Sequence, residues 1–255
     1  MMKDAVVIGK GMVGNATMHA LGIDDCYSLD GSTIERDQIG DFKYIFICVP
    51  TPTVDGVCDV TDILDYIKAY RTKDNIFIIR STIVPGTVDQ LEEETNANIV
   101  HMPEFLTEKT WKRDAEWPDV VVIGSNNMSA LRLVEGIMKA RHKGADFFIT
   151  DARTAELAKY AINVLYATKV IYANQMYDFC KEHKVNYSVI REILYSRKWI
   201  GKNHLDVWHG KHRGAGGKCL GKDVDAFASM SKISLVRLVN KLNKEYLEQT
   251  KDTDV

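Results

Sequence analysis

One stretch near the start narrows the fold more than any other. The apolar run Ala5-Val6-Val7-Ile8 leads directly into Gly9-Lys10-Gly11-Met12-Val13-Gly14, and a helical pattern follows over Asn15–Leu21. In that order of strand, turn and helix each glycine has a separate task. The first permits the tight turn, the second lets the backbone approach a pyrophosphate, and the third lets helix pack on strand. The free N–H groups and the positive helix end then face the phosphates. Asp30 stands 19 residues past Gly11, where a carboxylate accepts hydrogen bonds from an adenosine ribose and repels a 2′-phosphate. Taken alone, Asp30-Gly31 also fits a simple turn. Together the features point to a dinucleotide site that prefers NAD to NADP, built on Gly9, Gly11, Met12, Val13, Gly14 and Asp30.

The next 140 residues repeat the alternation. Predicted strands Cys26–Leu29, Tyr44–Val49, Ile76–Arg80, Asn98–His101, Val120–Ile123 and Asp146–Ile149 are interleaved with amphipathic stretches such as Thr61–Tyr70 and Ser129–Ala140. Such a pattern places crossover helices on a mostly parallel sheet. From Thr150 the character changes: Asp151 to His183 holds no Gly or Pro and reads as one helix about 33 residues and roughly 50 Å long. Its apolar positions, among them Leu157, Ala161, Val164, Leu165, Val170, Ile171 and Met176, wrap widely and call for partners on two sides. A domain-spanning core helix and a dimer seam both satisfy that pattern. Further helices are predicted at Tyr187–Ser196, Val224–Met230 and Leu235–Thr250. The expected fold is α/β: a Rossmann-like doubly wound parallel sheet over residues 1–150, then an all-helical domain over residues 151–255 built on one long helix.

Composition excludes several alternatives. With 45% hydrophobic and 27% charged residues in 255, the chain matches a globular protein and has length for one large or two modest domains. A net charge of −2 gives no reason to expect nucleic acid or an anionic membrane as partner. No apolar run approaches 18 residues, and the start lacks a signal-peptide core, so a cytoplasmic address is expected. Five cysteines without a C-x-x-C pair fit reduced thiols, and the histidines lack metal-ligand spacing with them, so no metal is expected.

Among the cysteines, Cys26, Cys48, Cys58 and Cys180 read as small buried apolar residues. Cys219 differs, because Gly214-Ala215-Gly216-Gly217-Lys218-Cys219-Leu220-Gly221-Lys222-Asp223 surrounds it with glycines, two lysines and a following helix. That setting favours a thiolate, and hence a nucleophile. Lys159 and Asn163 lie four apart on the long helix with small or apolar neighbours, a placement in which a cation and an amide can hold a developing oxyanion. Glu104 and Glu108 follow a predicted strand, as do Thr82 and Pro85, and loops at strand C-termini are where open α/β sheets bind ligands.

These motifs, in this order, resemble the UDP-glucose/GDP-mannose dehydrogenase family of nucleotide-sugar 6-dehydrogenases. The resemblance is carried by Gly9–Gly14, Val49-Pro50-Thr51-Pro52, Ser81-Thr82-Ile83-Val84-Pro85-Gly86-Thr87, Pro103-Glu104-Phe105-Leu106-Thr107-Glu108, the helix segment Ala155–Asn163 and the cysteine loop Gly214–Asp223. It implies a four-electron oxidation of a sugar alcohol to a carboxylate in two NAD-dependent rounds, with Cys219 forming a thiohemiacetal and then a thioester. By the family's pattern Lys159 and Asn163 stabilise the oxyanion, Asp223 and Thr82 position a water, and Glu104 or Glu108 assists proton movement. Pro50, Thr51, Thr82, Glu108 and Lys222 would lie near the cofactor; Glu104, Phe105, Leu106, Lys159, Asn163 and Gly216 would meet the sugar. A homodimer through the long helix is implied as well.

The sequence departs from the pattern in places. Ala215, Lys218 and Gly221 replace an aromatic, a small residue and a proline, and Met102 precedes Pro103 where Asn or Ser is common. Arg197, Lys198 and Trp199 occupy the region of the family's substrate-contacting arginine. The chain ends 36 residues after Cys219, where the family continues into a second Rossmann-like domain, so a shortened form is expected. Three readings remain at this stage: an active nucleotide-sugar dehydrogenase, a non-catalytic NAD- or partner-binding module, and a single-round 3-hydroxyacid-type dehydrogenase with no use for Cys219.

Overall fold

The strand-forming runs of the first 150 residues lack polar alternation because the sheet is covered on both faces. The computed structural model describes residues 2–54, 57–216 and 220–251. Its main sheet has seven strands: β1 (Ala5–Ile8), β2 (Asp25–Tyr27), β3 (Tyr44–Ile47), β4 (Ile76–Ile79), β5 (Asn98–His101), β6 (Val120–Gly124) and β7 (Asp146–Thr150). Their spatial order is β2-β1-β3-β4-β5-β6-β7. The first five are parallel; β6 meets β5 in the antiparallel sense at His101 and Gly124, and β7 is parallel to β6. The sheet is therefore Rossmann-like and mostly parallel, with its last two strands reversed.

Alternate residues feed two cores. Val7, Phe46, Ile78 and Val100 face one side, packed with Leu21 of α1 (Met12–Leu21) and Leu131 and Val134 of α5 (Met128–Arg141). Val6, Ile8, Ile45, Ile47, Phe77, Ile79 and Ile99 face the other, against Ile63 and Ile67 of α2 (Thr61–Tyr70) and Val88 and Leu91 of α3 (Thr87–Thr95). Each such side chain contributes roughly 1.5–3 kcal/mol by leaving water. A short α4 (Trp111–Glu116) precedes β6. Helix α3 is absent from the predicted elements because it presents few apolar positions: Val88 and Leu91 are the large ones it buries.

The predicted long helix is α6 (Ala152–Glu182), 31 residues. Asp151 starts it by accepting the Thr154 N–H at 2.9 Å and the Thr154 hydroxyl at 2.7 Å. Lys184 in the left-handed region, with the Val185 N–H donating to Cys180 O at 2.7 Å, ends it. The chain divides within α6 into two compact units, one comprising Met1–Pro52 with Cys58–Lys159, the other Thr53–Val57 with Tyr160–Val255. The second unit is mainly helical, with α7 (Tyr187–Ser196), α8 (Leu220–Met230) and α9 (Ser234–Gln249) around two apolar clusters, but it is not all-helical as expected, because Trp208–His209 and His212–Arg213 pair as a short antiparallel hairpin. In it Ala167, Val170 and Ile171 of α6 pack with Val224 of α8 and Val239 of α9, while Ala173 and Cys180 pack with Tyr187, Leu205 and Val207. Leu157, Leu165, Tyr172 and Phe179 remain exposed along the other side of α6. Among the described residues, no helix is long and apolar enough to cross a membrane.

Candidate functional site

In the first unit the strand register brings four loops to one edge. Ile8 pairs with Ile47, Ile47 with Ile79, and Ile79 with His101, so the chain leaves β1, β3, β4 and β5 from one row. Because β2 and β3 lie on opposite sides of β1, the strand order reverses there, and open α/β sheets bind ligands outside such a switch point. Gly9 makes the turn with φ +93°, and a Cβ there would stand 2.7 Å from the Cys48 carbonyl oxygen. A Cβ at Gly14 would overlap the Gly9 carbonyl. One at Gly11 would meet nothing within 4 Å, which leaves that backbone open to a ligand. Helix α1 starts there with no side-chain cap and no acidic residue in its first turn. Uncapped N–H groups, a bare glycine and a first turn without a carboxylate fit a dinucleotide pyrophosphate. Met12 and Val13, in the first turn, are half-buried.

Asp30 is exposed as a ribose partner must be, but β2 ends at Tyr27 rather than at the predicted Leu29. Ser28 and Ser32 redirect the chain: the Ser28 N–H donates to Ser32 Oγ at 2.9 Å, and Ser32 Oγ donates to Ser28 O at 2.9 Å. Side chains that offer the backbone these local partners compete with the ladder. Asp30 therefore sits in a turn, three residues past the strand.

The β3 and β4 loops are stitched together. Ser81 Oγ donates to Val49 O and Thr51 Oγ1 to Thr82 O, each at 2.6 Å. Pro50 beside them is exposed and Thr82 is half-buried. After β5, Glu104 turns inward: one carboxylate oxygen accepts the Leu106 N–H at 2.6 Å and the other accepts Lys159 Nζ at 2.9 Å. Lys159 Nζ also donates to the Glu104 carbonyl at 2.6 Å and lies 5.6 Å from the Phe105 ring centroid. Lys159 is 4% and Glu104 7% exposed. Two of the three ammonium donors thus go to Glu104. Glu108 is exposed in the turn before α4 and is not brought to this pair. Phe105 and Leu106 are half-buried. Around the pair, burial pushes the His101 imidazole down to about 3, so it is neutral, and pushes the Cys48 thiol up to about 11, so it stays protonated. Among the described residues Cys26, Cys48, Cys58 and Cys180 are buried and form no disulfide.

In the second unit Asn163 Nδ2 donates to Asp223 Oδ2 at 2.6 Å, and Lys222 Nζ lies 3.2 Å from Asp223 Oδ1. Both Asn163 and Asp223 are buried. The loop that precedes α8 is gripped by Asn243 of α9, whose side-chain oxygen accepts the Ala215 N–H at 2.6 Å while its amide donates to Ala215 O at 3.1 Å. Gly216 is fitted against the His212 ring, with no room for a Cβ. Cys219, the expected nucleophile, lies outside the described residues, with Gly217 and Lys218. Trp199 is 86% exposed just beyond α7. Sequence reasoning passed over Asn243 and Glu156; the signal for each was a polar residue inside an otherwise apolar helix face.

Residues 24–142 match the model of the NAD binding domain of the UDP-glucose/GDP-mannose dehydrogenase family, and residues 153–245 match its central domain. The chain belongs to that family. Its first unit carries the family's NAD-binding domain, so NAD is the cofactor, and the glycine turn described above lies just ahead of the matched span. A UDP-glucose 6-dehydrogenase of Rickettsia prowazekii is 32% identical over 222 residues, which is 83% of this chain and 50% of that protein. The chain spans about half the length of this and a second curated relative that it matches. A solved UDP-glucose dehydrogenase of Pyrobaculum islandicum shares the fold, with a TM-score of 0.81 at 24% identity, over 96% of this chain and 68% of that one. So does a 3-hydroxyisobutyrate dehydrogenase of Mycobacterium tuberculosis, with a TM-score of 0.71 at 15% identity, over 100% of this chain and 97% of that one.

Substituting Gly11→Val tests the cradle. Gly11 has extended φ and open space around it, so the melting temperature should stay where it is while NAD affinity falls about tenfold or more, read by titration calorimetry.

Proposed function

We propose that the chain is a nucleotide-sugar 6-dehydrogenase that oxidises the C6 alcohol of a UDP-glucose-like substrate to the uronic acid, with two NAD per sugar. The observation that carries this reading is the buried Lys159–Glu104 pair beside the loops of the NAD-binding edge. When bound, NAD supplies the hydride acceptor in both rounds. Lys159 keeps one N–H donor beyond the two given to Glu104, and Asn163, one helical turn away, offers its amide. These donors are suited to hold the sugar oxygen as it gains negative charge. In this reading Glu104 takes up and returns protons, and by the family's pattern Asp223 and Thr82 are the residues that position a water. Glu108, exposed and apart from the pair, keeps at most a place near the cofactor in this reading, with Pro50, Thr51 and Lys222.

The covalent steps balance through Cys219. Its sulfur adds to the C6 aldehyde carbon to give a thiohemiacetal; loss of hydride from that carbon and of the hydroxyl proton gives a thioester. Water then replaces sulfur, and the thiol and the carboxylate are released. A single-round 3-hydroxyacid-type dehydrogenase of the same fold would need no such cysteine, and a non-catalytic module would need neither the cysteine nor the lysine. The exposed stripe Leu157, Leu165, Tyr172 and Phe179 on α6 suits a second copy of the chain, and sedimentation equilibrium should give the mass of two chains; the mass of one would remove the dimer.

A panel of UDP- and GDP-sugars with NAD decides among the activities. Two NADH per sugar consumed is the expected ratio; one assigns the single-round reaction, and none, with NAD still bound, assigns a binding module. Cys219→Ser should stop the reaction at the aldehyde or an enzyme-bound adduct, so full turnover in that variant contradicts the covalent route.

A further inference from the structure

We propose that Glu156 is a positioning residue that fastens the Thr82 loop to the turn of α6 carrying Lys159. Glu156 is fully buried, and its two carboxylate oxygens accept separate backbone donors: Oε2 takes the Gly86 N–H at 2.6 Å and Oε1 the Val88 N–H at 2.8 Å. Both belong to the start of α3, which has no side-chain cap of its own. The amide between them is used within the loop, with the Thr87 N–H donating to Val84 O at 3.1 Å. The loop is therefore tied at Thr82 through Thr51 and at Gly86 through Glu156. Lys159 follows Glu156 by three residues on one helix face. Two diverging donors require two acceptors. A carboxyl group supplies them in either protonation state, because its hydroxyl oxygen keeps acceptor capacity, whereas the amide nitrogen of a glutamine has none and would turn a donor towards one of the N–H groups.

Among the described residues no lysine or arginine makes salt-bridge contact with the carboxylate. The charged groups that face it are Asp89 of α3, whose charge disfavours ionisation, and Arg153 of α6, which favours it but is bonded to Asp89. Asp151, which caps α6, acts on Arg153. Burial, against the two N–H bonds, pushes the Glu156 carboxyl up to about 7. Releasing the loop would return it to water and to an ordinary value near 4.5. The fastened state thus binds the proton more tightly, so its stabilisation is full below about 4.5 and is lost as pH rises through about 7. Release should become easier by as much as about tenfold per pH unit between those limits and level off above.

Insofar as Thr82 and Lys159 act as proposed above, the inference rests on that reading, but its test needs no sugar and no turnover. Amide hydrogen exchange at Gly86 and Val88 is followed by NMR in the full chain from pH 5.5 to 8.5, corrected for the intrinsic rate, with NAD affinity measured in parallel. The expected result is an opening constant that climbs to about pH 7 and then flattens, with NAD affinity weakening over the same range. Glu156→Gln should expose one of the two amides to faster exchange and remove the pH dependence. An opening constant independent of pH in the parent chain, or an unchanged profile in Glu156→Gln, overturns the proposal. If the variant fails to fold, the parent titration decides. A chain that makes no NADH yet shows the exchange profile retains the positioning role and loses the dehydrogenase reading; the opposite pair of results does the reverse.

Discussion

A helix that takes Glu156, Lys159, Asn163 and Asn174 out of water must find a partner for each, because an unpaired buried polar group costs more than the helix gains by burying it. Much of the local architecture follows from those obligations. In the first unit Glu156 holds the start of α3 and Lys159 holds Glu104 and, through it, the loop after β5. In the second unit Asn163 bonds Asp223 of α8, and Asn174 accepts from Arg213 at 2.8 Å. The Arg213 guanidinium lies 4.6 Å from the Tyr246 ring centroid and is paired with Asp178 at 2.8 Å. The loop before α8 is thus fastened by α6 and α9 together, and the apolar clusters fill in around polar contacts that set the geometry.

The NAD-binding edge depends on a different constraint, close backbone approach. The Gly9 turn passes so near the end of β3 that a side chain there would strike the Cys48 carbonyl, and Gly14 has no room beside Gly9. Of the three fingerprint glycines, Gly11 is the one left unobstructed. The same three glycines therefore answer two demands, tight packing of strand on helix and a bare surface for phosphate.

How far this was legible in the sequence varied with the range of the interaction. Helix α2 at Thr61–Tyr70 and α7 at Tyr187–Ser196 coincide with the predicted spans, because apolar periodicity within ten residues determines them. The long helix was readable to within a residue at each end, since Asp151 caps it locally. Strand β2 was overextended because Ser28 and Ser32 bend the chain through bonds that periodicity does not reveal. Lys159 and Glu104 are 55 residues apart, so their pairing rests on topology, and the motifs could not say which of Glu104 and Glu108 would turn inward. The fold alone does not select the reaction either, since a 3-hydroxyisobutyrate dehydrogenase shares it over the whole chain. The residues hung on the fold make the difference.

The Lys159–Glu104 pair is where structure and proposed chemistry meet. Buried ion pairs are seldom retained for stability: losing one partner costs about 3–5 kcal/mol, yet replacing both is often neutral. If the pair is kept for catalysis, stability and activity must separate when both charges are removed. The measurement is NADH formation by the double substitution Lys159→Met with Glu104→Gln, in which position 104 can still accept the Leu106 N–H, run beside its thermal unfolding. The account predicts a chain that unfolds within about 1 kcal/mol of the parent and forms no NADH from a sugar the parent oxidises. Parent-like NADH formation by the folded double variant would contradict it.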